Sequence, residues 1–552
     1  MANSGSHQRQ SVRHLRRKPQ AEGDEGGLAA RQCHGIGHLA RLLAHGAARS
    51  EDRPLGQLIL SEARKSPTRS AEIARNLAAA VAVLALVGVS ASAAGAAGQT
   101  RRYSTPATAP LATAVVDSGL FGGGERAAAF ARTRAAGATY ARLIVYWGNI
   151  APSTPPADFV ATDPTSAGYS WEGVDAVVEA AEAAGLTPIL DIVVPPSWAY
   201  DSQPSGVNGG SPNVADLRDF AAALAKHFDG AAPGTPTAHV FQVWNEPNLS
   251  LDMCPVSAST YRAMVNAVAD SVHAVDGSNL VVAGGLDPFG HKKSKGHEWY
   301  SLRPLAFMRS LLCLSKGSHP HATCNQPIHF DVWSHHPYTY GGPFGRAKLI
   351  DDVELGDLPK MRAVLKAGLR LHHVVSAQPV KFWVTEFSWD TNPPRKHAAS
   401  LGLAARWTAE SLHQMWLSGV SLVTWFLLED LPKPSPWQSG LYFHSSSLDT
   451  ARPKPVRTAF RFPFVAYRRR SGVSVWGRVA TSDKELVTVQ RRHGKSGRWR
   501  TVALVQSNGY GIFRAGLKLE ASKKDWLRAV ATGSGRSLAF SLTVPHHPNV
   551  VP

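Results

Sequence analysis

The chain has 552 residues, 44% of them hydrophobic and 18% charged, which exceeds one ordinary domain and excludes a wholly disordered protein. Its net charge of +18 is unevenly placed, with a surplus of about +6 in residues 1–76, about +12 in residues 466–536, and a middle close to neutral. No helix-turn-helix, finger or RNA-binding signature accompanies that charge, so nucleic acid is not the expected partner, and the charge reads as solvated faces or as weak contacts to anionic cell-wall polymers or a membrane surface.

Residues 1–76 are rich in Arg, His, Gly and Ser without a sustained period. They read as a disordered basic extension, or as an upstream stretch from a misassigned start. Residues 77–98 open with "LAAAVAVLALVGV" and continue into "SASAAGAAG". A charged lead-in, an apolar run and an Ala-x-Ala type site are the layout of a secretory signal. The run of 13 residues, Leu77 to Val89, is short of the ~20 that span a bilayer. An uncleaved membrane anchor is the alternative. Either way the protein is expected outside the cell or on its surface.

Export suits the cysteines. Of the four, Cys33 would leave with the leader. Cys313 and Cys324 bracket a loop rich in Ser, His, Pro and Gly, and a disulfide is expected between them. That leaves Cys254 as a free thiol.

From about residue 105 to 462, β-branched runs alternate with Ala-rich amphipathic stretches. The runs are "LATAVVDSG" from Leu111, "TYARLIVYW" from Thr139, "LTPILDIVV" from Leu186 and "AHVFQVWNE" from Ala238. They continue with "NLVVAGGL" from Asn279, "HFDVWSHHPY" from His329, "VKFWVTEFSW" from Val380 and "GVSLVTWFLLED" from Gly419. Helical candidates lie between them, several ending in Gly, the common helix stop. Eight such alternations predict an α/β fold, a closed (β/α)8 TIM barrel. Residues 463–552 change period. "GVSVWGRV", "LVTVQRR", "WRTVALVQ", "YGIFRAGL", "WLRAVAT" and "SLAFSLTV" alternate by two between Gly, Ser and Lys turns, which predicts a small antiparallel β-sandwich.

In such a barrel the C-terminal strand ends form one face, and side chains there converge. Strand four ends in Asn245-Glu246 and strand seven in Glu386. Strand six ends in His335-His336-Pro337-Tyr338. Strand two carries Arg142, with Trp147 at its exit. Strand three runs into Trp198, and strand eight carries Trp425. Two carboxylates facing one cleft lined with Trp suit glycosidic bond cleavage: one protonates the leaving oxygen, the other attacks the anomeric carbon or activates water. Pro247 cannot continue the ladder, so the chain turns away and exposes Glu246. Of the adjacent pair His335 and His336, only one can face the cleft, and His336 is chosen. Glu429 and Asp430 lie just past strand eight. Asp390 and Glu298 are read as surface. No metal site or organic cofactor is expected, because two carboxylates suffice.

"VWNEPN" and "WVTEFSW" resemble the clan A retaining glycoside hydrolases, which include the cellulase-type family 5 and the xylosidase-type family 39. The resemblance covers roughly residues 110–460. It implies that Glu246 is the acid/base and Glu386 the nucleophile. It further implies that Asn245 binds substrate, that Tyr338 and Arg142 support the nucleophile beside His336, and that Trp425 floors the sugar site. The chain departs from many family 5 enzymes at the end of strand three, where Val194-Pro195-Pro196 stands in place of a His. The expectation is a secreted, monomeric enzyme acting on a β-linked polysaccharide or oligosaccharide. The alternatives are a catalytically inactive cell-surface glycan binder, or an exo-acting β-glycosidase.

Overall fold

The computed structural model describes residues 100–544, apart from 107, 232–233, 295–297 and 482–483. The expected leader, residues 77–98, and the basic extension before it lie outside the described residues. Among the described residues, no helix is long and apolar enough to cross a membrane. The described chain divides into two units: Ala109–Pro463, and residues 100–108 with Phe464–Val544.

The first unit is a closed barrel of eight parallel strands. They are β1 (Ala112–Val116), β2 (Tyr140–Tyr146), β3 (Thr187–Val193), β4 (Val240–Val243), β5 (Leu280–Leu286), β6 (Val332–His335), β7 (Lys381–Phe387) and β8 (Leu422–Phe426). Each strand falls within one of the eight apolar runs. The helices α1 (Arg126–Ala135), α2 (Glu172–Ala183), α3 (Val214–His227), α4 (Ala258–Val275), α5 (Pro304–Leu311), α6 (Leu358–Arg370), α7 (Leu401–Leu417) and α8 (Pro455–Arg461) follow the strands in turn. Local sequence sets their ends: Asn213 caps α3 by accepting from the amides of Ala215 and Asp216, and Ser257 caps α4 through the Thr260 amide.

The barrel interior is stratified. Its lower layer is apolar, with Ala114, Ile189, Val240, Val282, Val332, Trp383 and Leu422 buried together and Tyr140 packed against them. Side chains two residues apart share a face of a strand. One step toward the C-terminal ends, that face carries Arg142, Asp191, Gln242, Ser334, Thr385 and Thr424, all buried. A polar floor therefore lies on an apolar plug, directly beneath the barrel mouth. At β5 the step falls on Gly284, whose φ is +99°. A Cβ there would sit 2.2 Å from the Ser334 carbonyl oxygen, so conformation and close approach both require glycine.

The second unit is built of antiparallel sheets. β9 (Phe464–Arg469), β10 (Gly472–Arg478) and β13 (Ile512–Leu517) form one. The other contains β12 (Arg500–Gln506), β11 (Leu486–His493) and β14 (Asp525–Ala531), extended by β15 (Gly535–Arg536) and β16 (Phe540–Ser541). Its far edge is a short strand, Arg102–Ser104, which pairs parallel with β12. Tyr467 of the first sheet meets Phe540 of the second edge-on at 5.7 Å.

Cys313 and Cys324 form the disulfide, with Cα atoms 5.2 Å apart across 11 residues. Cys254 corrects the expectation of a free thiol: it is disulfide-bonded.

Candidate active site

The strand-four end is an irregular turn. Trp244 and Glu246 both have positive φ, +69° and +39°. Such conformations cost on the order of 1–3 kcal/mol each and persist only where neighbours hold them. Here the Trp244 amide donates to Ile192 of β3 at 3.2 Å and its indole to the Asp252 carbonyl at 3.1 Å. The Glu246 amide donates to Gly285 of β5 at 3.2 Å. Asn248 clips the exit: its Nδ2 donates to the carbonyls of Asp287 and Leu302, and its Oδ1 accepts from the Asp287 amide. The "WNEPN" stretch thus swings Glu246 out of the ladder and pins it over the mouth.

Glu386 is held from two sides. Tyr338 Oη donates to its Oε1 at 2.8 Å, and Arg142 Nη1 donates to its Oε2 at 3.0 Å. Arg142 is itself fixed by Asp191 Oδ2 at 2.6 Å and Asn245 Oδ1 at 2.7 Å, both through Nη2. Its guanidinium is buried, so these charge-assisted bonds act in low dielectric. Glu246 is held by His336, with Nδ1 2.9 Å from Oε1, and His336 Nε2 lies 3.1 Å from Thr385 Oγ1. The two glutamate side chains remain 15% and 18% exposed, so both open to the cleft while His336 and Arg142 beneath them are buried.

Their electrostatics differ. Burial, then the Glu386 charge, push the Glu246 carboxyl up to about 8, against a smaller opposing effect of Arg142. Burial pulls His336 down to about 3, so it is neutral near pH 7 and serves as a hydrogen-bond partner. Asp191 is pushed up to about 6 by burial, with Arg142 opposing. Two further carboxyls face Glu246: Asp252, after β4, and Asp287, after β5. Both are raised well above the usual carboxylate range, first by burial and then by the charge of Glu246.

Glu246, Glu386, Asn245, Arg142, His336 and Tyr338 are thus brought together. His335 turns the other way, its Nε2 against the Val353 carbonyl. Three tryptophans do not join them. Trp147 is 1% exposed and stacks on Phe220 of α3 at 5.0 Å, because the turn after β2 points it outward; it is a packing residue. Trp198 packs edge-on against Trp147 and bonds the Pro152 carbonyl, within the loops that follow β2 and β3. Trp425 is 1% exposed, donates to the Ser439 carbonyl and packs on Phe460 of α8. The inward face of β8 runs Leu422, Thr424, Phe426, so the floor position expected at Trp425 belongs to Phe426. Trp437, 41% exposed, meets the Phe426 ring edge-on at 6.2 Å and extends that wall.

Asp390, expected at the surface, is buried. It bonds Arg395 and accepts from the Gln438 amide. Asp430 is likewise buried, paired with Lys454.

Residues 92–348 match the model of the Cellulase family, glycosyl hydrolase family 5. An eight-stranded parallel barrel and a matching family model define this protein as a glycoside hydrolase, with a cellulase-type domain over the matched residues. Glu386 lies beyond the matched residues and is placed by geometry. Among solved structures, the chain is similar to the family 39 glycoside hydrolase of Xanthomonas axonopodis pv. citri, with 15% identity over 78% of this chain and 96% of that one, TM-score 0.45. It is similar to a monomeric beta-xylosidase from Caulobacter crescentus CB15, with 16% identity over 77% and 98%, TM-score 0.45. A family 30 subfamily 8 xylanase from Clostridium acetobutylicum is 14% identical over 78% and 98%, TM-score 0.41. No curated protein matches the chain.

Proposed function

We propose that this protein is a secreted, retaining glycoside hydrolase that cleaves β-linked polysaccharide or oligosaccharide by double displacement. The observation that carries the reading is the asymmetry of the two glutamates. Glu386 accepts two hydrogen bonds, from Tyr338 Oη and from the buried Arg142 guanidinium, which hold its carboxylate in place for attack. Glu246 has its proton affinity pushed up to about 8, which favours the protonated acid.

In the first step a Glu386 oxygen attacks the anomeric carbon as the Glu246 proton passes to the departing glycosidic oxygen and the C–O bond breaks. In the second, the Glu246 carboxylate takes a proton from water. That water attacks the anomeric carbon and releases Glu386. Neutral His336 serves both steps. With its Nδ1–H donating to Glu246 Oε1, and Nε2 accepting from the Thr385 hydroxyl, Oε2 is left to carry the catalytic proton toward the cleft.

Secretion rests on the layout of residues 77–98, and N-terminal sequencing of exported protein should begin between about Ala93 and Thr105. Weak cell-wall association rests on the basic charge of the second unit. The test of the reaction is NMR of products from a panel of β-linked glycans. Retention of the anomeric configuration in the first-formed product is expected; the inverted anomer overturns double displacement.

A further inference from the structure

The second unit carries a face that the hydrolytic site does not use. In β11, Val487 and Val489 are buried, so Thr488, Gln490 and Arg492 occupy the other face. The antiparallel register sets Arg492 opposite Trp526 of β14, and Gln490 opposite Arg528. On the other side Arg491 pairs with Arg500, which brings Trp499, the residue before β12, beside Arg492. The result is a row across the sheet: Trp499, Arg492, Trp526.

The guanidiniums lie on the indoles. Arg492 sits 4.7 Å over the Trp499 ring and 5.6 Å from that of Trp526, and Arg528 sits 4.1 Å over Trp499. Arg528 Nε donates to Gln490 Oε1 at 2.8 Å. Arg536, exposed, pairs with Val530 at the next strand. The carboxylate at this sheet, Asp525, is taken by Arg491 and His493. Among the described residues no carboxylate pairs with Arg492, Arg528 or Arg536. Burial and the charges of Arg536 and Arg492 together lower the proton affinity of Arg528, as unneutralised neighbours should. Across residues 464–544, sixteen Lys and Arg stand against four Asp and Glu. Cations held over aromatic rings, crowded together without counterions, are arranged for an anion from outside the chain.

We propose that this Trp–Arg row, with Arg528 and Arg536, is a docking face for a polyuronate, a polysaccharide bearing a carboxylate on its sugars. A guanidinium fork matches a planar carboxylate in a bidentate pair, and indoles that pin the forks reduce the ordering cost of binding. Indole surface also suits the apolar faces of pyranose rings. The choice of a glycan over a single-stranded nucleic acid rests on the glycoside hydrolase reading of the barrel.

The test uses the intact chain. Binding to polygalacturonate, neutral xylan and single-stranded DNA is measured by calorimetry at low and high salt, for the wild type and the R492Q/R528Q pair. Turnover of an aryl glycoside is followed in parallel. Polygalacturonate should bind, weaken with salt, and lose roughly tenfold or more in affinity in the double variant, with turnover unchanged. Failure to bind polygalacturonate, equal binding of xylan, tighter binding of DNA, or an unaffected double variant overturns the proposal. A protein that binds polygalacturonate through these arginines but turns over no glycoside keeps the docking face and loses the enzymatic reading.

Discussion

Arg142 and Asp191 form a buried ion pair at 2.6 Å, and the same guanidinium reaches Glu386 at 3.0 Å. Asp191 touches no group that reacts, so it is a positioning residue acting through Arg142. Asp191→Asn should therefore lower kcat by about 10²-fold, the cost of a small misplacement, with KM little changed. Asp191→Ala should also destabilise by about 1–3 kcal/mol, because the buried Arg142 Nη2 loses its charged partner while Glu386 and Asn245 remain. Steady-state kinetics and urea unfolding of both variants check this. A loss confined to stability would make Asp191 merely structural.

The raised Glu246 carboxyl sets a pH dependence. Hydrolysis should fall on the alkaline side as Glu246 loses its proton near pH 8. The same shift is a stability statement. The folded state binds more protons than the unfolded one between about pH 4.5 and 8, so this contribution is full at low pH and lost as pH rises through that window. Asp252 and Asp287, also raised, act in the same direction. Glu246→Gln should accordingly gain in Tm relative to wild type at pH 8 more than at pH 5. Thermal scans at the two values check it.

Phe426 and Trp425 are adjacent on β8 and face opposite ways. Phe426→Ala should raise KM for glycan with little loss of stability. Trp425→Ala should cost about 3–5 kcal/mol, as large-to-small core changes do. Trp437→Ala should raise KM alone. Kinetics on soluble glycan beside chemical denaturation separates the three.

Much of this site was legible because barrel strands buried on both sides read as continuous apolar runs, and a carboxylate ending such a run stands out. Glu246 and Glu386 were found that way. Arg142 and Tyr338 also stood at strand ends, and the resemblance implied their place beside Glu386. The errors arose where a single residue decides the face. Trp425 is the larger aromatic, but period two gives the inward position to Phe426. Trp147 follows β2 like a rim residue, yet its turn directs it to Phe220. Asp252 and Asp287 were missed because they sit in loops after their strands. Asp287 directly follows the fifth run, and that position was a usable signal. Arg102–Ser104 is too short to show an alternation, and only its partner β12 makes it a strand.

Closing the 11-residue loop between Cys313 and Cys324 should stabilise the fold by about 2–3 kcal/mol in the chain-entropy account. The Cys324→Ser variant, compared with wild type in urea under oxidising conditions, measures it.

The central claim is that Glu246 and Glu386 have different roles, and leaving-group ability separates them. Glu246→Ala should lose roughly 10²–10⁴-fold on natural glycan, yet keep much of the first step on a dinitrophenyl glycoside, which needs no proton. Its second step should then be slow, and azide, an anion needing no general base, should speed turnover. Glu386→Ala should be inactive on both substrates. The deciding measurement is the turnover of dinitrophenyl glycoside by each variant with and without azide. Azide acceleration of Glu246→Ala, beside inert Glu386→Ala, is the predicted result. Ordinary activity in Glu386→Ala, or a Glu246→Ala equally impaired on both substrates and indifferent to azide, contradicts it.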